Sequence, residues 1–214
     1  MRRPAFLCTF LLCAAIAAAQ GTFIDLLGTG DARALLAALQ KGGNARESYT
    51  GGVTTLMIAA AHNPDPRVIT VLVAAGADPN AVDSEGDTPV MYAARFNRNE
   101  APLRALLDAG ASVSQGNQLG STPLSYAAQF NQNPGVIQTL IGAGADVNQS
   151  GPFGITALML AAENNTPDVV RALLAAGARI DARSRGGMRP LDFAVLNDRL
   201  AGTDIPRLLG GGTQ

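Results

Sequence analysis

Thr122-Pro123-Leu124-Ser125-Tyr126-Ala127-Ala128 is one of five related phrases in the chain. Upstream stand Thr88-Pro89-Val90-Met91-Tyr92-Ala93-Ala94 and Thr54-Thr55-Leu56-Met57-Ile58-Ala59-Ala60. Downstream stand Thr156-Ala157-Leu158-Met159-Leu160-Ala161-Ala162 and a frayed copy, Arg189-Pro190-Leu191-Asp192-Phe193-Ala194. The copies begin at residues 54, 88, 122, 156 and 189, in steps of 34, 34, 34 and 33. A period in this range marks stacked supersecondary units, none of which can bury its apolar face alone.

Each unit carries its own start and stop signals. A glycine two residues ahead of the phrase (Gly52, Gly86, Gly120, Gly154, Gly187) suits a tight turn. Thr88-Pro89 and Thr122-Pro123 supply an N-cap and a proline at the first helical position, where the missing amide costs nothing. The Leu, aromatic and Ala-Ala positions then make a thin helix that neighbours can approach closely. A second helix is announced by Asp65-Pro66, Asn99-Glu100, Asn133-Pro134 and Thr166-Pro167, with apolar residues at helical spacing such as Val68, Ile69, Leu72 and Val73. It stops at Gly76, Gly110, Gly144 and Gly177. Asp78 and Asp146 follow these glycines, a placement that favours hydrogen bonds to nearby backbone over a ladder of carboxylates.

The two ends differ from the middle. Residues 23–27 and 31–39 predict two short helices, with Asp31 as N-cap and Gly42-Gly43 as terminator, but without the phrase. From Met188 onward the phrase degrades and Ile205–Leu209 gives only a short second helix. Both read as caps that cover the last apolar faces of a stack.

Ahead of the first cap, Met1-Arg2-Arg3-Pro4 is basic, residues 5–19 are apolar apart from Thr9, and Ala17-Ala18-Ala19 fits a cleavage site. This pattern predicts a secretory signal peptide cut after Ala19, and so a periplasmic or secreted protein. The 15-residue apolar run is shorter than the ~20 residues a spanning helix needs, so no stable membrane insertion is expected after cleavage. Cys8 and Cys13 both fall in the leader, which leaves the mature part without disulfides or thiolate ligands. Leu7 and Leu12 precede them, a poor setting for lipidation. Without Arg2 and Arg3 the chain holds 14 basic and 17 acidic residues, a net charge of −3. Its arginines are scattered, which argues against nucleic acid as a partner.

The phrases Thr-Pro-Leu-x-x-Ala-Ala and Gly-Ala-Asp-x-Asn, the latter seen at Gly76-Ala77-Asp78-Pro79-Asn80 and Gly144-Ala145-Asp146-Val147-Asn148, resemble the ankyrin repeat over residues 22–211. The resemblance implies an all-α solenoid: antiparallel helix pairs joined by β-hairpin-like turns and curved around a concave groove. On this reading residues 1–19 are the leader and 20–214 the ankyrin-repeat domain, with a cap at 22–51, repeats at 52–85, 86–119, 120–153 and 154–186, and a cap at 187–211. Three repeats depart from the pattern by one extra residue between the helices, around Asn63-Pro64-Asp65, Arg98-Asn99 and Gln132-Asn133. The histidine usual in the phrase is replaced by Met57, Met91, Ser125, Met159 and Asp192, which puts that histidine's hydrogen bonds, not the fold, in question.

Catalytic chemistry has little to work with. His62 is the only histidine, no metal-ligand cluster is visible, and no Gly-rich phosphate loop ends in Lys. No enzymatic activity, cofactor or metal is expected. The resemblance instead implies a protein partner bound by turn tips and the exposed ends of the first helices. Carried onto this chain, the partner-binding residues are Glu85, Asp87, Arg95, Phe96, Leu119, Gln129, Phe130, Phe153 and Ile155. Phe96 and Phe130 have a second reading, folded down over the longer interhelix turn, whereas Tyr92, Tyr126 and Phe193 lie inside the phrase and read as packing between repeats. The expected function is an exported, non-enzymatic protein-binding module, monomeric and independent of nucleic acid. The alternatives are a self-assembling structural protein or an enzyme using His62.

Overall fold

Threonine side chains close the helix ends with which the full repeats begin. Thr54, Thr88, Thr122 and Thr156 accept hydrogen bonds from the backbone N–H groups of Met57, Met91, Ser125 and Met159, satisfying amides that a helix start would leave free. The computed structural model describes residues 23–211; the expected leader, Cys8, Cys13 and the cleavage point after Ala19 lie outside the described residues. The described residues form twelve α-helices: α1 (Phe23–Thr29), α2 (Ala32–Gln40), α3 (Thr55–His62), α4 (Pro66–Ala74), α5 (Pro89–Phe96), α6 (Glu100–Asp108), α7 (Pro123–Phe130), α8 (Pro134–Gly142), α9 (Ala157–Asn164), α10 (Pro167–Ala175), α11 (Pro190–Ala194) and α12 (Ile205–Leu209). Outside them, among the described residues, β-structure is limited to the bridges Ser48–Thr54 and Ser150–Thr156.

The position where the resemblance leads one to expect histidine keeps a role in the cap. Met57 Sδ accepts from Thr54 N–H at 3.3 Å, Ser125 Oγ from Thr122 N–H at 2.8 Å, and Asp192 Oδ2 from Arg189 N–H at 2.7 Å. Three different acceptors thus satisfy the same backbone group.

The odd-numbered helices pack side by side in one row and the even-numbered ones in a second row, each touching the equivalent helix of the next unit. The inner row can be tight because its facing side chains are small. Ala59, Ala60, Ala93, Ala94, Ala127, Ala128, Ala161 and Ala162 are all buried. The outer row contributes Val68, Ile69 and Leu72 from α4, then Val136, Ile137 and Leu140 from α8, none with any exposure. The result is one continuous apolar seam rather than a central core.

A polar ladder runs beside that seam. Asn63, Asn97, Asn131, Asn165 and Asn197 follow the inner helices in steps of 34, 34, 34 and 32, and all are buried. Each Nδ2 donates to two carbonyls of the preceding unit. Asn97 bonds Ala60 O at 3.0 Å and Asn63 O at 2.8 Å, and Asn131 bonds Ala94 O and Asn97 O at the same two distances. Asn165 and Asn197 repeat the motif, and Asn63 begins it on the carbonyls of Leu26 and Gly30. Meanwhile each Oδ1 accepts from the backbone two residues ahead, as at Asp65, Asn99, Asn133 and Arg199. The fourth repeat is one residue shorter, so Asn165 Oδ1 accepts directly from the adjacent Thr166 N–H at 2.8 Å. Thr166, expected to cap its helix, consequently makes no side-chain cap bond, unlike Asp65, Asn99 and Asn133.

Asn131→Ala leaves two buried carbonyls and the Asn133 N–H without partners, at about 1–3 kcal/mol for an orphaned group. We expect urea unfolding to show a loss of roughly 3 kcal/mol. Asn164→Ala, one residue before the ladder but exposed, should change stability by less than ~0.5 kcal/mol. Equal effects from the two would show that the ladder adds nothing.

Candidate partner-binding groove

The turns between units are short hairpin-like tips, and what braces each one decides what it displays. In the tip at Asp83, the Oδ1 accepts from Glu85 N–H at 2.8 Å and Asp87 N–H at 2.9 Å. Asn117 does the same for Leu119 at 3.0 Å and Ser121 at 2.9 Å. These braces leave Glu85 and Leu119 pointing into solvent, and Leu119 is 67 % exposed.

The tip that leads into the fourth repeat, residues 151–154, is built differently. The bracing position is Gly151, which has no side chain, and Pro152 follows. Phe153 then sits at φ 56°, the one non-glycine with positive φ among the described residues, and is 69 % exposed. The matching place in the first tip is Gly51 at φ 79°. A side chain in this left-handed region costs about 1–2 kcal/mol, and bulky residues rarely adopt it.

Below the tips lie the outward faces of α5 and α7. Phe96 and Phe130 are 38 % and 37 % exposed, so each combines packing with display. Phe96 packs 6.0 Å from Tyr92 and 6.2 Å from His62, while Phe130 packs 6.0 Å from Tyr126. The Arg95 guanidinium bridges the two repeats, 4.8 Å from the Phe96 ring centroid, 4.6 Å from Phe130 and 5.2 Å from Tyr126. Cation–π contact of this kind fixes an arginine without neutralising it. Gln129 and Ile155 are half-buried. Counting back one residue from each ladder asparagine gives the row His62, Phe96, Phe130, Asn164 and Leu196. Sequence reasoning missed Leu196 and its neighbour Val195, both strongly exposed; the asparagine period would have found them.

Asp87 occupies a different environment from the other tip residues. Its carboxylate is buried, accepting from Asn117 Nδ2 at 2.6 Å and from the Tyr126 hydroxyl at 3.0 Å. It ties the second repeat to the third. Tyr92 reaches the tip that leads into its own helix, donating to Asp83 Oδ2 at 2.8 Å. The tyrosines of the phrase therefore serve as struts between the inner helices and the tips. Burial and the adjacent carboxylates raise the pKa of both hydroxyls, keeping them protonated donors. His62 is shifted the other way: burial lowers its pKa and so favours the neutral imidazole. Among the described residues no group of three His, Asp or Glu converges as metal ligands, and no helix is long and apolar enough to cross a membrane.

Burial pushes the Asp87 carboxyl above its ordinary 3.8, with Asp83 adding to the effect, while Asn117, Tyr126 and Arg95 oppose it. The folded chain thus holds this proton more tightly than the unfolded chain. The group's stabilising contribution is present below 3.8 and is lost as pH rises through the folded value. Asp87→Asn keeps an acceptor for Asn117 and Tyr126 and removes the charge. The stability of Asp87→Asn relative to wild type, read from urea midpoints, should therefore rise with pH across this acid window. Parallel profiles would rule out a buried carboxylate at this position.

No curated protein matches the sequence. The family description "Ankyrin repeats (3 copies)" matches residues 56–150 and 126–209, from the first phrase into the last helix. Repeats of this kind are generally protein–protein interaction modules. Together the two matches span most of the chain, and the protein belongs to the ankyrin-repeat family.

Proposed function

We propose that this chain is an exported, non-enzymatic binding module that captures a protein partner on its tips and groove. The observation that carries this reading is the exposed apolar row at successive tips, Leu119 and Phe153, above a floor of Phe96, Arg95 and Phe130. Exposed apolar patches rimmed by polar groups mark interaction sites, and aromatic and arginine anchors dominate binding energy. Turns that are braced internally, as at Asp83 and Asn117, add to affinity because little ordering within them remains to be done when the partner arrives. The module acts as a monomer and needs no nucleic acid, cofactor or metal. The basic-then-apolar leader ending at Ala19 supports the export, which N-terminal mass spectrometry tests: a chain beginning at Gln20 is expected, and an intact Met1 would overturn it.

Phe153 separates a binding role from a structural one. Phe153→Gly relieves the left-handed strain, so stability should stay level or rise by up to about 1 kcal/mol. Partner capture, read by crosslinking pull-down from the native compartment, should fall at least tenfold, an effect within reach of one anchor. Loss of stability with unchanged capture would refute the assignment. Light scattering of the purified protein distinguishes partner capture from self-assembly, since mass rising with concentration supports the latter.

A further inference from the structure

We propose that the junction between the third and fourth repeats is a hinge built into the solenoid, where the C-terminal segment opens away from the repeats before it. With each unit counted from the loop that leads into its first helix, so that residues 146–156 belong to the fourth, neighbouring units share four recurring kinds of hydrogen bond, and among the described residues only this junction lacks three of them together. At the tips, Ser84 N–H bonds Gly51 O at 2.7 Å, Gln118 N–H bonds Glu85 O at 3.1 Å, and Arg185 N–H bonds Phe153 O at 2.7 Å. The donor facing the Leu119 carbonyl would be residue 152, a proline with no N–H to give.

The loops after the second helices show the same gap. Arg46 Nε bonds Gly76 O at 2.8 Å, and the Asn80 side chain bonds Gly110 O at 3.1 Å and Ser112 N–H at 2.8 Å. Asn148 does likewise with Gly177 O at 3.1 Å and Arg179 N–H at 2.9 Å. Midway between Asn80 and Asn148 in the repeat register stands Ser114, exposed and without such a bond among the described residues. At the starts of the second helices, Asn99 Nδ2 reaches Pro64 O at 2.8 Å and Asn133 Nδ2 reaches Arg98 O at 2.7 Å. The corresponding residue of the fourth repeat is Thr166, whose Oγ1 is shut off from solvent with no partner.

What remains is the ladder. With the loop 146–156 counted in the fourth unit, the hydrogen bonds that cross this junction among the described residues are the two from Asn165 to Ala128 O and Asn131 O, both 2.9 Å. Apolar packing continues across it, α7 on α9 and α8 on α10. Such packing is non-directional and resists separation more than it resists sliding or tilting. A junction with intact packing, one central polar tie and no lateral ties is a hinge, and local opening concentrates where such ties are few. Leu119 and Phe153 stand on either side of it, so its motion sets the spacing of the two most exposed large apolar side chains of the tips.

Native-state amide exchange on the purified protein, read by mass spectrometry, tests this without any partner. Residues 157–209 should open as one unit more readily than residues 55–142, with the boundary at this junction. Ser114→Asn, Pro152→Gln and Thr166→Asn copy the chain's own second and third repeats at the three gaps. Each restored bond should slow opening about fivefold, and the triple variant well over tenfold. Ser114→Asn alone, on an exposed loop, keeps the test valid if the triple variant misfolds. Equal protection on both sides, a boundary at another junction, or opening unchanged in the repaired variants would overturn the hinge.

Discussion

A carboxamide shut away from water must find a partner for each polar atom, and five buried asparagines in this chain find the acceptors for their side-chain N–H groups across unit boundaries. Their side-chain amides bond the carbonyls that end the preceding inner helix, and their own carbonyls receive the next asparagine. This is the polar interaction that passes through every junction of the stack without a gap. Apolar side chains supply most of the attraction between units, but they do not by themselves specify register. The ladder does, because a displaced unit would strand both its amide and its neighbour's carbonyls. It also marks where the inner helices of the full repeats end, with the asparagine as C-cap, which places the preceding residue at the groove: His62, Phe96 and Phe130 are there for that reason.

The tips are held by a second polar system, which is local and uneven. Asp83 and Asn117 fold their own turns, and Tyr92 and Tyr126 rise from the inner helices to brace them. Asp87 is the costliest member, a carboxylate kept from water and compensated by two donors. This network stiffens the second and third tips against each other. The fourth tip has no counterpart, since Gly151 lacks a side chain and Leu160 stands where a tyrosine would be.

Much of the fold was legible because its signals are local. Threonine caps, proline starts and glycine stops act within four residues, and each unit repeats them. The ladder escaped notice for the opposite reason. Asn63, Asn97 and Asn131 lie in turns, where a polar residue looks ordinary, and their partners are about one full repeat upstream. Only the period, applied to the turn rather than to the phrase, would have revealed them. Thr166 misled because threonine caps helices well, yet one deleted residue handed its N–H to Asn165. That Phe96 and Phe130 neighbour each other on one face was readable from their shared register. The burial of Asp87 was not, since tip residues are polar whether they face solvent or a neighbouring tyrosine.

Phe153 brings these threads together. A phenylalanine at positive φ opposes the local preference of the chain, and burial does not compensate it, because the side chain stands in water. Glycine fills the same place in the first tip, so the architecture permits the easier solution. The strained turn is held from its two sides. Pro152 presets the backbone ahead of Phe153, and Gly154 absorbs a second positive φ behind it. Pro152 is also the residue that removes the tip hydrogen bond to Leu119. One substitution in the repeat pattern therefore shapes the turn that presents Phe153 and loosens the junction on which that turn rides. Display of an apolar side chain and freedom to move it arise here from the same proline, the first from its fixed ring and the second from its missing N–H.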